Sequence, residues 1–303
     1  MEYHYYTCDV FTDAPFGGNQ LAVFPDARGI PEELLPKITR EFNYSETTFV
    51  YPPDDPAHAR RVRIFTPGSE LPFAGHPTVG TAVVLAVTGA IPLTGEETRI
   101  VFEEKVGAVP VTIRRVNGAP TFAQLTAAKL PEFNDTVPAA EDIAQLLTLG
   151  RHELDDARFP LRFVSVGFPF LFVAVRGADV IGRIRINVPV MEALGLKEIF
   201  VFTDECEREG FHYHARMFAP LLGIPEDPAT GSAAAAFAGY LAVRDPLQNG
   251  TVRWNLEQGC EMGRPSLLYI EADKSNGAVT SVRVGGNAVM VMEGRMTMES
   301  TID

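Results

Sequence analysis

Three ionisable residues, Glu46, His76 and Asp227, have the types and the surroundings that proton transfer needs. A carboxyl partly buried at a strand start would titrate nearer neutrality because desolvation disfavours its charge, and an imidazole or a second acid can polarise a bound small molecule. Two of the three stand in a segment that the chain repeats. His76-Pro77-Thr78-Val79-Gly80-Thr81-Ala82 returns 151 residues later as Asp227-Pro228-Ala229-Thr230-Gly231-Ser232-Ala233, half the length of a 303-residue chain. Arg63-Ile64-Phe65-Thr66-Pro67 answers to Arg216-Met217-Phe218-Ala219-Pro220, Phe49-Val50 to Phe200-Val201 and Leu21-Ala22-Val23 to Val173-Ala174-Val175, at offsets of 151 to 153. Agreement between the copies marks scaffold. Where they differ in ionisable groups, Glu46 against Lys197 and His76 against Asp227, the difference marks a site made asymmetric for chemistry.

Asp227-Pro228 ahead of a helix also suits plain capping, since Asp is a good N-cap and Pro a good first helical residue. His76-Pro77 holds the same place in the other copy, and His is not a preferred cap, so capping does not explain both. Gly75, Gly80 and Gly231, with the hydroxyls of Thr81 and Ser232, would let backbone N–H groups approach a ligand where the helix dipole favours an anion. Two such helix starts facing each other would hold a small carboxylate.

Other chemistries find less support. His212 and His214 fall on one face of a strand without a third ligand at a metal-like spacing, so no metal site is expected. Arg63 and Arg216 recur, which favours structural ion pairs. Ser232 lacks the Gly-x-Ser-x-Gly elbow and a partner His. Neither a phosphate-binding loop nor a dinucleotide fingerprint is present, and no cofactor is expected. Cys8, Cys206 and Cys260 are odd in number and widely spaced, as buried small hydrophobes would be.

The elements that must position these residues are mostly strands. Tyr3 to Phe11 and Gln20 to Phe24 flank a turn at Ala14-Pro15-Phe16-Gly17-Gly18-Asn19 and form a hairpin. Pro31 opens a helix through Phe42, followed by strands at 47–51 and 60–65. A buried helix over 79–87 and strands at 100–103 and 109–114 complete the first half. A helix over 138–149 precedes a second series: strands at 163–166 and 170–175, a short helix at 190–194, strands at 199–202 and 212–218, and an Ala-rich helix over 233–243. Four strands near 252–256, 267–272, 278–284 and 288–292 end the chain. Each half thus holds one helix apolar on every face, which a rolled sheet would enclose. The expected organisation is α+β, with residues 1–130 as one half, 131–303 as the other, and a last strand at about 287–303 that returns to complete the first.

A net charge of −13 without a basic run argues against nucleic acid or an anionic membrane as partner. The N-terminal residues have no signal-peptide pattern, and no apolar run reaches the roughly 18 residues of a membrane span, so a cytoplasmic protein is expected.

With these residues in hand, the chain resembles the PhzF-like phenazine-biosynthesis family, relatives of diaminopimelate epimerase. The matching segments are Asp9-Val10-Phe11-Thr12 with Phe16-Gly17-Gly18-Asn19, Ser45-Glu46-Thr47, Phe73-Ala74-Gly75-His76-Pro77-Thr78 and Glu226-Asp227-Pro228-Ala229-Thr230-Gly231-Ser232-Ala233. The resemblance implies two pseudo-symmetric domains, each a rolled, mostly antiparallel sheet around a central helix, with the active site in the cleft between them, and often a homodimer. It implies that Glu46 is the general acid/base, that His76, Asp227 and Ser232 hold and polarise substrate, and that the amides of Gly75 and Gly231 approach a substrate carboxylate. Asn19 lies in the family's Gly-Asn turn, although Gln20 replaces the Pro common after it. The three cysteines fall outside both repeated motifs, which disfavours the two-thiol epimerisation of related racemases. The expected function is a cofactor-independent isomerase moving a proton between carbons of a small unsaturated or amino acid. The alternatives are an amino-acid epimerase or racemase with unlike bases, and a non-catalytic protein that binds a small acid.

Overall fold

A computed structural model describes residues 1–298 and divides the chain into two compact units. Unit 1 is Met1–Ala128 together with the chain from Gly285 onward, and unit 2 is Lys129–Val284. Unit 1 begins with strands β1 (Glu2–Val10) and β2 (Asn19–Phe24), helix α1 (Leu35–Phe42), and strands β3 (Glu46–Tyr51), β4 (Arg60–Phe65) and β5 (Glu70–Leu71). Helix α2 (Gly75–Val87) and strands β6 (Glu97–Glu104), β7 (Gly107–Val116) and β8 (Ala119–Thr126) follow. Unit 2 holds β9 (Glu132–Asn134), α3 (Ala140–Leu146), β10 (Arg162–Ser165), β11 (Pro169–Ala174), α4 (Ala178–Gly182), α5 (Val188–Ala193), β12 (Ile199–Thr203) and β13 (Tyr213–Ala219). It continues through β14 (Ile224–Asp227), α6 (Gly231–Ala242), β15 (Gly250–Gln258) and β16 (Ser266–Ser275). The last strand, β17 (Ala278–Thr297), gives its first residues to unit 2 and the rest to unit 1.

In unit 1 the pairing closes on itself. β1 pairs with β2, β2 with β3 in parallel, β3 with β4, β4 with β6 in parallel, β6 with β7 and β7 with β8. β17 then pairs with both β8 and β1 and completes the ring. The axis is filled by α2, whose residues Gly75 to Ala86 are all buried. Its Gly-, Ala-, Val- and Thr-rich sequence explains how a helix fits there, because small side chains let the surrounding strands approach. Gly80 shows the limit: an added Cβ would stand 2.6 Å from the side chains of both Leu21 and Val10.

Unit 2 runs through the same order of pairings: β9 with β10, β10 with β11, β11 with β12 in parallel, β12 with β13, β13 with β15 in parallel and β15 with β16. Helix α6 packs on β10, β11, β15 and β16. Phe237 on α6 meets Phe172, Phe200, Phe202 and Tyr213, and the buried Tyr240 donates its hydroxyl to the carbonyl of Pro160 at 2.9 Å. Each unit also carries apolar side chains on the outer face of its strands. Leu35 and Ile38 of α1 cover Phe24, Phe49 and Phe65, while α3, α4 and α5 cover Leu171, Val173, Ile199 and Val201.

Several expectations needed correction. The helix expected from Pro31 begins as a short 3₁₀ turn and becomes α-helical only at Leu35, and the one expected over 138–149 spans Ala140–Leu146. β8 was not anticipated, because Ala119-Pro120 opens it without clean alternation. The two strands expected at 278–284 and 288–292 are one continuous strand. Gly285 is not a break there. It marks close approach to β8, where an added Cβ would lie 2.9 Å from the carbonyl oxygen of Ala123. Of the strand expected over about 287–303, residues 299–303 lie outside the described residues.

Candidate active site

Helix α1 ends with Asn43 in the left-handed region (φ 53°), its N–H bonded to the carbonyl of Thr39 at 3.0 Å. That cap turns the chain so that Glu46 opens β3, paired in parallel with Leu21 of β2. The turn between β1 and β2 is tight: Gly18 has φ +61°, and a Cβ there would lie 2.2 Å from the carbonyl oxygen of Val10. Asn19 emerges from it as the first residue of β2. His76 is the second residue of α2.

These three side chains meet. Glu46 is 7% exposed, His76 4% and Asn19 1%. His76 Nε2 lies 3.2 Å from Glu46 Oε2, in an alignment that falls short of a hydrogen bond, and Asn19 Nδ2 lies 3.3 Å from His76 Nδ1. Burial lowers the His76 pKa to about 3, against a hydrogen bond with the backbone of Gln20 that acts the other way. The imidazole is therefore neutral, and its Nε2 faces an acid.

The corresponding part of unit 2 is built around Asp227, 6% exposed, the last residue of β14. Thr230 donates its hydroxyl to Asp227 Oδ2 at 2.5 Å. Gln258 Nε2 donates to the backbone carbonyl of Asp227 at 2.8 Å and to Thr230 Oγ1 at 3.1 Å, and Gln258 Oε1 accepts the N–H of Thr230 at 3.3 Å. Gly231 and Ser232 form the first turn of α6, with Thr230 as the N-cap residue. Asp227 is thus not a helix cap. Gly259, next to Gln258, has φ +78°, and a Cβ on it would lie 2.6 Å from the carbonyl oxygens of both Pro228 and Arg264. Gly259→Ala should cost about 2–3 kcal/mol, read as a lowered denaturation midpoint with unchanged m, because rigid backbone on two sides and a left-handed φ both oppose the methyl.

Strand register corrects the correspondence between the halves. Phe49 stands opposite Arg63, and Val201 stands opposite Arg216. The position matching Glu46 is therefore Glu198, not Lys197. Ile64 pairs with Leu71 and Met217 with Asp227, so Asp227 matches Leu71. Helices α2 and α6 start at Gly75 and Gly231, which matches His76 to Ser232 rather than to Asp227. The 151-residue echo is a true similarity of letters that slips by five residues at the helix starts. Gly80 and Thr81, expected beside a ligand, lie within α2; Thr81 is fully buried and its hydroxyl is 2.8 Å from that of Thr48.

Arg63 and Arg216 form the expected kind of ion pair, with Glu70 and Glu226 at 2.8 Å each. Sequence reasoning missed Glu198, Thr230, Gln258 and Glu104. Glu104 of β6 contacts Thr78 on α2 at 2.5 Å, and burial raises its pKa to about 8 against that hydrogen bond. His214, Glu257 and Cys260 bring three metal-type donors within 4.8 Å of one another. Burial opposes a charged His214, but hydrogen bonds with Cys260, Glu257 and Glu261 outweigh it and push the pKa up to about 12. Glu257 also accepts the N–H groups of Glu207 and Arg208. Glu103 does the same for Asp54 and Asp55 in unit 1, so both carboxylates clamp loops. His212 Nδ1 accepts the N–H of Asn255 instead of joining His214. Among the described residues no helix is long and apolar enough to cross a membrane.

Comparison with known proteins adds the decisive observation: the model of the family described as phenazine biosynthesis-like protein, PhzC-PhzF, matches residues 8–294, which include Glu46, His76 and Asp227. The chain belongs to that family. A PhzF family protein of Bacillus anthracis has a solved structure that matches 98% of this chain and 100% of its own with TM-score 0.88 and 28% identity. An uncharacterised isomerase of Mesorhizobium japonicum is 40% identical over 97% of this chain and 98% of its own length. The trans-2,3-dihydro-3-hydroxyanthranilate isomerase of Pseudomonas chlororaphis is 33% identical over 98% and 100%. This PhzF-like chain is an isomerase.

Proposed function

We propose that the chain is a cofactor-independent isomerase of a small unsaturated carboxylic acid, of the class that includes trans-2,3-dihydro-3-hydroxyanthranilate. The observation that carries this reading is the Glu46 carboxyl, buried with a neutral imidazole 3.2 Å away. Glu46 takes a proton from a C–H acidified by adjacent unsaturation. The electron pair moves through the conjugated system, and the same carboxyl returns the proton at another carbon. Atoms and electrons balance without redox, so nothing else is consumed. Asn19 and His76 orient the carboxyl, while Asp227, Ser232 and the amides of Gly75 and Gly231 hold the substrate. Preorganised dipoles of this kind stabilise charge as it develops.

The matching order of pairings in the two units supports a duplicated ancestor, with residues 1–130 and 131–303 as the approximate halves and the returning strand added to the first. The thiols weigh against two-cysteine racemisation. The helix starts carry His76 and Ser232, and burial raises the pKa of Cys206 to about 11 and that of Cys8 further still.

The test is incubation in heavy water with a panel of small unsaturated and amino acids that includes trans-2,3-dihydro-3-hydroxyanthranilate, followed by magnetic resonance. Migration of a double bond with deuterium at the new C–H centre is expected for an unsaturated acid. Exchange at a single carbon with loss of optical purity would replace the isomerase by an epimerase, and absence of any turnover across the panel would refute the reading.

A further inference from the structure

The register of unit 2 places Glu198 where unit 1 has Glu46, in the residue just ahead of β12. The two surroundings differ. Glu46 has Leu71 at the position that Asp227 fills in unit 2, and it has the imidazole of His76 where unit 2 has Ser232. Glu198 Oε2 is fully buried and accepts no hydrogen bond. A carboxylate oxygen withdrawn from water without a donor is costly when charged, and a neighbouring acid makes it more so. The charged groups acting on Glu198 are Asp227 at the end of β14 and Lys197 beside it in the chain.

We propose that Glu198 sets the charge of the Asp227 half-site: it keeps a proton in its buried, donor-less setting beside Asp227, so that the two acids do not both present a negative charge to an incoming carboxylate. The proposal rests on the reading of Asp227 as a substrate-holding residue. Glu198 acts through Asp227 and is a positioning residue. Burial first and Asp227 second raise its pKa to about 7, against the opposing charge of Lys197, so the pair gains its second charge as the pH rises through neutrality. A carboxylate ligand should then be repelled. Binding, more than the chemical step, should carry the pH dependence.

The experiment uses the full-length protein and anthranilate, a planar carboxylate that cannot isomerise, as binding probe. Its Kd is measured between about pH 5.5 and 8.5 for wild type and Glu198→Gln, with infrared difference spectra of both on a Glu104→Gln background that removes the other buried neutral acid. Kd for wild type should rise on the order of tenfold across that range, while Glu198→Gln stays flat at the low-pH value. The protonated-carboxyl band should titrate near neutrality and vanish in Glu198→Gln. Two results would each overturn the proposal: a Kd in Glu198→Gln that rises as in wild type, or a carboxyl at position 198 that infrared finds ionised at the acid end. The infrared titration needs no turnover. If Glu46→Gln still isomerised substrate, the role of Glu46 as proton carrier would fall while the titration of Glu198 stood on its own.

Discussion

Glu46→Gln is expected to lower kcat/KM by about 10²–10⁴-fold at every pH, because the amide keeps the shape of the buried side chain and cannot carry the proton. Deuterium uptake from solvent into substrate should fall by the same factor, which ties the loss to C–H cleavage. The thermal midpoint serves as control. Activity in Glu46→Gln within about threefold of wild type would remove the carboxyl from the chemistry. His76 gives an independent check. Its imidazole is held neutral by burial, with a pKa of about 3, so an acid limb of the rate profile near the usual histidine value cannot belong to it. His76→Asn should leave the position of that limb unchanged while lowering kcat, since what it removes is a neutral polar ring facing Glu46 and not a titrating base.

Much of this site was legible in the sequence, and the failures share one cause. Glu46 stood out because it begins a strand, and His76, Asp227, Gly231 and Ser232 because they belong to a repeated motif; burial of the first three agrees with reading them as more than surface charge. What the letters hid was register. Arg63 lies seven residues before Glu70 but Arg216 lies ten before Glu226, so a constant offset cannot hold past the strands. The extra residues fall at Pro220–Leu222 and Gly223, a 3₁₀ turn with a left-handed glycine that precedes β14. An insertion there moves Asp227 into line with Leu71 and Ser232 into line with His76. Similarly, the similarity of Phe49-Val50 to Phe200-Val201 is one residue out of step with the strand pairing, which hid Glu198 behind Lys197. A gain of one carboxyl per half is a property of pairing partners, and pairing is not written in local pattern. The enclosed helices were easier to find, because a segment apolar on all faces has only one place to go.

The same comparison of halves isolates Glu104 and predicts a pH-dependent stability. Thr78 Oγ1 lies 2.7 Å from the carbonyl of Ala74 and 2.5 Å from Glu104 Oε1. Thr78 is the donor in both contacts and its hydroxyl has one proton, so the bond to Glu104 is shared with the Ala74 carbonyl and offsets little of the cost of charging the carboxyl. Glu104 Oε2 is buried without a partner, which a charge would not tolerate, and burial raises the pKa from 4.5 to about 8. A carboxyl whose folded-state pKa is raised binds more protons folded than unfolded between those values. Stability from this group is therefore fully present below about pH 4.5 and is lost as the pH rises through 8. In unit 2 the matching residue is Gln258, which makes its bonds to Thr230 and Asp227 without titrating. Glu104→Gln copies that solution. At about pH 9 the variant should be more stable than wild type, by on the order of 3 kcal/mol, and the gap should close toward about pH 4.5. Denaturant midpoints across that range measure the difference directly, and the other titrating groups cancel because they are common to both proteins. A constant gap would mean that Glu104 titrates alike in the folded and unfolded protein, and that the Thr78 hydroxyl compensates the buried charge after all.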